Sequence, residues 1–146
     1  MNKYQKLSLF LLRISLGGLF FYAGITKIIN PVWSAEGYLK GAKLLPEFYN
    51  WLLQPGVLPV VNLVNEWGQL LLGISLLIGI GIRLSAPLGA LLMLLYYLPL
   101  GFPYPNTHSF IVDEHIIYIF SLLVVASFHG GRTWGLGQVT KKFRLD

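Results

Sequence analysis

The sequence predicts an all-α fold, an integral membrane four-helix bundle with interfacial helices between spans one and two. Three observations carry that reading. Long apolar runs recur at residues 7–29, 60–82, 85–100 and 110–128. Only 12% of the 146 residues are charged and 55% are hydrophobic, whereas an ordinary soluble domain is about one quarter charged. Proline and glycine clusters lie between the runs, where helices must stop. Four spans with their loops fill the length, so residues 1–146 read as a single membrane domain.

Span one, residues 7–29, ends before Asn30-Pro31, because the residue preceding a proline is pushed out of the α region. Lys3 and Lys6 resemble the head of a signal peptide. The run that follows is longer than an h-region of about 7–15 residues, and Arg13 interrupts it, so it reads as a retained span. The connector 30–59 is long and aromatic, with Trp33, Tyr38, Phe48, Tyr49 and Trp51. It predicts two short interfacial helices, about 34–43 and 46–53. These read as an amphipathic patch resting on lipid, with a lid over a site as the competing reading. Span two, residues 60–82, closes in the turn Gly81-Ile82-Arg83. Span three, residues 85–100, is the short one, with Pro87 in its first turn. Span four, residues 110–128, ends at Gly130-Gly131.

Composition excludes several functions. The net charge of +5 does not signal nucleic acid, because the basic residues sit at span ends and form no face that tracks a phosphate backbone. The chain has no cysteine, so it carries no thiolate, disulfide or iron–sulfur chemistry of its own. His115 and His129 are 14 residues apart on one helix, about 21 Å along its axis, so they cannot share an iron. No metal or haem is expected. Any redox role needs a diffusible carrier, a bound organic cofactor or a partner.

The candidate site residues are the ionisable groups inside the spans, which are costly in hydrocarbon and lean functional. Arg13, Gly17, Phe20, Gly24 and Lys27 form one stripe of span one at 100° per residue. Asn62, Glu66, Gln69 and Gly73 form one of span two, and Glu114, Tyr118, Ser121 and Val125 one of span four. Small and polar stripes should turn inward. Depth then places Lys27, Glu66, Glu114 and His115 in the outer third. Lys27 is expected to pair with one of the two glutamates and leave the other to exchange protons. Lys27, Glu66 and Glu114 are the catalytic candidates. Arg13, Gln69, Tyr96, His115 and Tyr118 are the candidates for binding a substrate or quinone. Asp113 reads as a helix N-terminal carboxylate.

Three segments resemble the DoxX/DoxD membrane family. They are Arg13-Ile-Ser-Leu-Gly17 with Tyr22-Ala-Gly24-Ile-Thr-Lys27-Ile-Ile-Asn-Pro31, then Glu66-Trp-Gly-Gln-Leu-Leu-Leu-Gly73 with Leu77-Ile-Gly79-Ile-Gly-Ile-Arg83, then Gly130-Gly-Arg132-Thr-Trp134-Gly135-Leu136-Gly137. Gly137 stands where the family often has Asp. The loop Trp33-Ser-Ala-Glu-Gly37-Tyr-Leu-Lys40 is closest to the DoxD branch. The resemblance implies a four-span bundle and family-like positions at Arg13, Lys27, Glu66, Arg83 and Arg132. It also implies a quinone-linked oxidoreductase subunit, since the DoxD branch is associated with thiosulfate:quinone oxidoreductase. The alternative is a non-enzymatic anchor or assembly partner for a soluble redox protein. The expected partners are the lipid bilayer, a soluble or membrane redox subunit and a second copy of the chain.

Lys and Arg counts orient the chain in the cell membrane. Lys3, Lys6, Arg83, Arg132, Lys141, Lys142 and Arg144 share one side, against Lys27, Lys40 and Lys43 offset by Glu36 and Glu47 on the other. Both termini are therefore expected in the cytoplasm. In this cysteine-free chain, Gly37→Cys should react with a membrane-impermeant maleimide from outside intact cells. Lys3→Cys should react only after the membrane is opened.

Overall fold

The computed structural model describes residues 1–102 and 109–138. Among these the fold is all-helical. Helix α1 spans Lys3–Ile28, α2 Glu36–Lys40, α3 Pro46–Leu52, α4 Leu58–Ile78, α5 Ile82–Tyr97 and α6 Glu114–Ser127. Short 3-10 turns follow at Leu98–Leu100, Gly130–Arg132 and Leu136–Gln138. Three segments are long and apolar enough to cross a membrane: Lys3–Ile28, Leu58–Ile78 and Ile82–Leu100. The breakers Pro103 and Pro105, His108, and the basic residues Lys141, Lys142 and Arg144 lie outside the described residues.

Local chemistry sets the boundaries. Asn2 caps α1 in a reciprocal box: its side chain accepts the Gln5 N–H at 2.8 Å, and the Gln5 side chain accepts the Asn2 N–H at 2.8 Å. Helix α4 stops at Gly79, which takes a left-handed conformation (φ 79°) that a side chain would disfavour. Two residues later Gly81 (φ 69°) launches α5. Span three therefore begins at Ile82 rather than at residue 85, and Pro87 falls inside the helix instead of its first turn.

The short span is the fourth, not the third. Helix α6 has 14 residues, about 21 Å of axis. It starts late because Asp113 acts as N-cap, accepting the Ile116 N–H at 3.2 Å, which leaves residues 110–113 ahead of the helix.

The four long helices pack as two close pairs, α1 with α4 and α5 with α6, joined along a looser seam. The first pair rests on bare backbone. Gly24 lies directly on the backbone of Leu70, and Gly73 directly on the backbone of Phe21. A Cβ at either position would collide with main chain that cannot move aside. Lipid offers no hydrophobic drive for helix association, so close van der Waals approach must supply it. The seam is filled by Leu16, Phe20, Leu72, Leu76, Ala86, Ala90, Met93, Leu122 and Val125. The outward faces carry exposed Leu11, Leu63, Leu71, Leu84, Leu88, Ile117 and Phe120, as a lipid-facing surface should.

Arg13 anchors the end of the bundle opposite to α2 and α3. Only 1% of it is exposed. Its guanidinium donates to the Gly130 carbonyl at 3.2 Å and the Trp134 carbonyl at 3.3 Å, and it lies over the Phe10 ring. Gly137 packs into the same end. A Cβ there would sit 2.7 Å from the Gly79 carbonyl oxygen, so the local packing is built for glycine.

Gly73→Ala is expected to destabilise the protein by about 1–3 kcal/mol through overpacking. Gly18→Ala, whose Cβ would meet open space, should leave stability unchanged. Thermal unfolding in one detergent separates the two.

Candidate functional site

The seam between the helix pairs widens, at the end away from Arg13, into a cavity of about 650 Å³. Helices α2 and α3 cover it. They bury apolar side chains while turning Leu45, Phe48 and Trp51 outward. Ala35, Leu39 and Tyr49 are buried in a small core of their own with Trp33, Leu52, Leu58 and Val61. The reason lies in the helix beneath. Pro99 has no N–H, so the Leu95 carbonyl four residues earlier loses its helical partner. The Tyr49 hydroxyl donates to that carbonyl at 2.9 Å. Burial pushes the Tyr49 hydroxyl up from the ordinary tyrosine range, which keeps it protonated for this role. The Tyr38 hydroxyl donates to the Tyr96 carbonyl, and the Lys43 N–H to the Pro99 carbonyl at 2.9 Å. On the other flank Asn62 accepts the Ala35 N–H at 3.0 Å. The connector is thus a lid stitched to α4 and α5.

Lys27 does not pair with a glutamate. Its ammonium donates to the Gln69 side-chain oxygen at 2.7 Å and to the Ala23 carbonyl at 3.0 Å, and stands 5.4 Å from the Trp33 ring centre. Among the described residues the ion pairs are Lys40 with Glu36 and His115 with Asp113. The Gln69 side chain also faces the Tyr96 hydroxyl. That hydroxyl donates to Asn65 Oδ1 at 2.6 Å, and Asn65 Nδ2 donates to the Val61 carbonyl at 2.8 Å. Each link fixes the next. Gln69 gives its oxygen to the cation, so its NH2 faces Tyr96, and Tyr96 must then donate onward. Buried Asn65 and Gln69 thus each have hydrogen-bond partners. An ammonium has three N–H groups, and among the described residues Lys27 commits two of them.

The opposite wall is α6. Asp113 Oδ2 lies 2.7 Å from His115 Nδ1, and the His115 ring stacks on Tyr96 with centroids 6.0 Å apart and planes 12° from parallel. Tyr118 sets its ring edge against Phe20. The structure therefore brings Lys27, Gln69, Tyr96, Glu114, His115 and Tyr118 to one cavity. Glu114 is exposed at its border. Two expected residues lie elsewhere. Arg13 holds the closing segment at the far end of the bundle. Glu66 is not part of the cavity wall, because the face of α4 that turns inward is Asn65, Gln69, Leu72, Gly73 and Leu76.

The DoxX family model matches residues 8–99. The chain belongs to the DoxX family. It is an integral membrane protein, as its family and its three long apolar helices indicate. No curated protein and no solved structure matches it. The DoxX match covers α1 to α5, and with them Lys27, Asn65, Gln69, Tyr96 and the lid. Glu114, His115 and Tyr118 of α6 lie beyond it. From the sequence, Asn65 stays outside the expected site, and Trp33, Tyr38 and Tyr49 read only as connector aromatics, not as site residues of this DoxX chain. Asn65 had a signal, since it stands one helical turn before Gln69 on the same face. Pro99 was the signal for the lid.

Tyr49→Phe removes one buried hydrogen bond, worth about 0.5–1.5 kcal/mol net. Amide hydrogen exchange should rise over residues 36–52 and stay unchanged in α1 and α4.

Proposed function

We propose that the cavity binds the ring of a lipid-soluble quinone and that the chain is the membrane subunit of a quinone-linked oxidoreductase. One observation carries the reading: an uncommitted N–H on a fixed intramembrane cation, set in the wall of an otherwise largely apolar cavity. The volume suits a small organic molecule, for which sites run about 300–1,000 Å³. The fit extends to the walls. The His115 and Tyr96 rings and the Trp33 indole offer flat faces, and the Tyr118 hydroxyl has no hydrogen-bond partner among the described residues. A planar molecule with carbonyl oxygens at its rim answers both features.

A bound quinone would supply a couple that takes up two electrons and two protons. The chain's own residues hold and protonate. Lys27 donates its remaining N–H to a carbonyl oxygen, with Gln69 and Ala23 fixing its position. Trp33 and Leu39 of the lid exclude water from the inner part of the cavity. Glu114, exposed at the border, exchanges protons with the outer aqueous side. The electrons come from a small sulfur anion such as thiosulfate or from a redox partner subunit. The first follows the likeness of the loop Trp33–Lys40 to the DoxD branch. The lid, and with it the cavity, faces the outside of the cell membrane in this proposal.

The protein purified in lipid and extracted should yield stoichiometric quinone. Lys27→Ala and Gln69→Leu each remove a charge-assisted contact worth about 1.5–3 kcal/mol, so affinity for an added short-chain quinone should fall about tenfold to a hundredfold. Glu66→Gln should retain the wild-type affinity. Equal affinity in all four proteins, or none in any, overturns the quinone reading and leaves an anchor for a soluble redox protein.

A further inference from the structure

We infer that Asp113 and His115 form an oriented proton-transfer pair in the cavity wall, with Asp113 as the positioning residue and His115 Nε2 as the atom that exchanges the proton. The identity of the proton's acceptor rests on the quinone reading; the pair itself does not.

Asp113 is held from two directions. Its Oδ1 accepts the Ile116 N–H at 3.2 Å and so belongs to the first turn of α6. Its Oδ2 lies 2.7 Å from His115 Nδ1. The side chain of Asp113 is 7% exposed and that of His115 17%. A helix cap thus fixes the carboxylate, and the carboxylate fixes the ring. An ionised carboxylate only accepts hydrogen bonds, so Nδ1 must carry a proton. The neutral ring is then the Nδ1–H tautomer, with an unprotonated Nε2. Among the described residues Nε2 has no partner, and His115 lines the cavity.

The ring cannot easily turn away. Tyr96 stacks on it in near-parallel planes, and Tyr96 is itself tied to Asn65 and Gln69. The other tyrosine of that end, Tyr97, commits its hydroxyl to the Ile111 carbonyl at 2.7 Å. The remaining ionisable groups at the cavity are Lys27 on α1, Tyr38 and Tyr49 of the lid, and Glu114 and Tyr118 on α6. This is the arrangement of a base oriented by a third group, here with no nucleophile between base and ligand.

The step balances simply. In the charged ring the Nε2–H bond breaks and an O–H bond forms on the ligand oxygen. The imidazole is left neutral, protonated on Nδ1. Asp113 stays a carboxylate throughout and stabilises the charged ring before transfer. Water at the outer rim returns the proton to Nε2.

The test reads the tautomer directly. His108→Asn and His129→Asn leave His115 as the one histidine of the full chain. Asn suits position 129, whose φ is 52°. Nitrogen NMR of the histidine-labelled protein in lipid nanodiscs, at a pH where the ring is neutral, should show protonated Nδ1 and unprotonated Nε2. Asp113→Asn keeps the helix cap, since Asn caps as well as Asp. It presents an NH2 to Nδ1, so the proton should move to Nε2 and that resonance should shift to the protonated position. Circular dichroism should show the same helix content in both. A wild-type ring protonated on Nε2, or a tautomer that Asp113→Asn leaves unchanged, overturns the pair. Adding a short-chain benzoquinol, whose hydroxyl can donate to an unprotonated Nε2, should shift the wild-type Nε2 resonance. If the tautomers behave as expected and the quinol shifts nothing in the wild type, the pair stands and the quinone reading fails.

Discussion

The contact of Gly24 with the Leu70 backbone, and of Gly73 with the Phe21 backbone, sets everything else in this bundle. It brings the backbones of α1 and α4 against each other at the glycines and fixes their register. Lys27 follows Gly24 by three residues, and Gln69 precedes Leu70 by one, so the same register puts ammonium and amide 2.7 Å apart. Gln69 faces Tyr96 on α5, whose hydroxyl donates back to Asn65 on α4. A bulkier pair of residues at the crossing would separate the helices and break the chain of donors at its first link.

The two cations of α1 that lie within the bundle, Arg13 and Lys27, are stabilised in the same way, and it is not by opposite charge. Arg13 rests on the carbonyls of Gly130 and Trp134, and Lys27 on those of Ala23 and Gln69. Oriented dipoles can hold a charge in a low dielectric where a carboxylate would bring its own desolvation cost. The difference matters for the cavity. A Lys27–glutamate ion pair would have satisfied the ammonium on the spot. With neutral acceptors the positive charge remains effective toward whatever enters.

Much of this was legible from residues alone. The all-α bundle follows from the apolar runs, and the inward stripe of α1 is buried as its 100° spacing requires at Arg13, Gly17, Phe20 and Gly24. Lys27, Gln69, Tyr96, Glu114, His115 and Tyr118 meet at one cavity. What failed was the phase of α4. Grouping Glu66 with Gln69 took the glutamate as the inward group, but the helix is turned so that Asn65 faces in. Charge drew the eye, while the amides had the face. The lid could not be chosen over an interfacial patch from residues alone, for another reason. Aromatic residues favour the headgroup level and favour a covered cavity alike, and only the carbonyl freed by Pro99 tips Tyr49 toward the second.

The shortness of α6 has a consequence beyond the bundle. Helices α1 and α4 match or exceed a hydrocarbon slab of about 30 Å, α5 nears it only with the 3-10 turn Leu98–Leu100 added, and α6 falls about 9 Å short by its rise per residue. A bilayer meets a short span by thinning beside it, by snorkelling of flanking side chains or by bringing spans together. Thinning beside α6 would carry hydrated headgroups toward the capping aspartate and shorten the oil between bulk solvent and the imidazole.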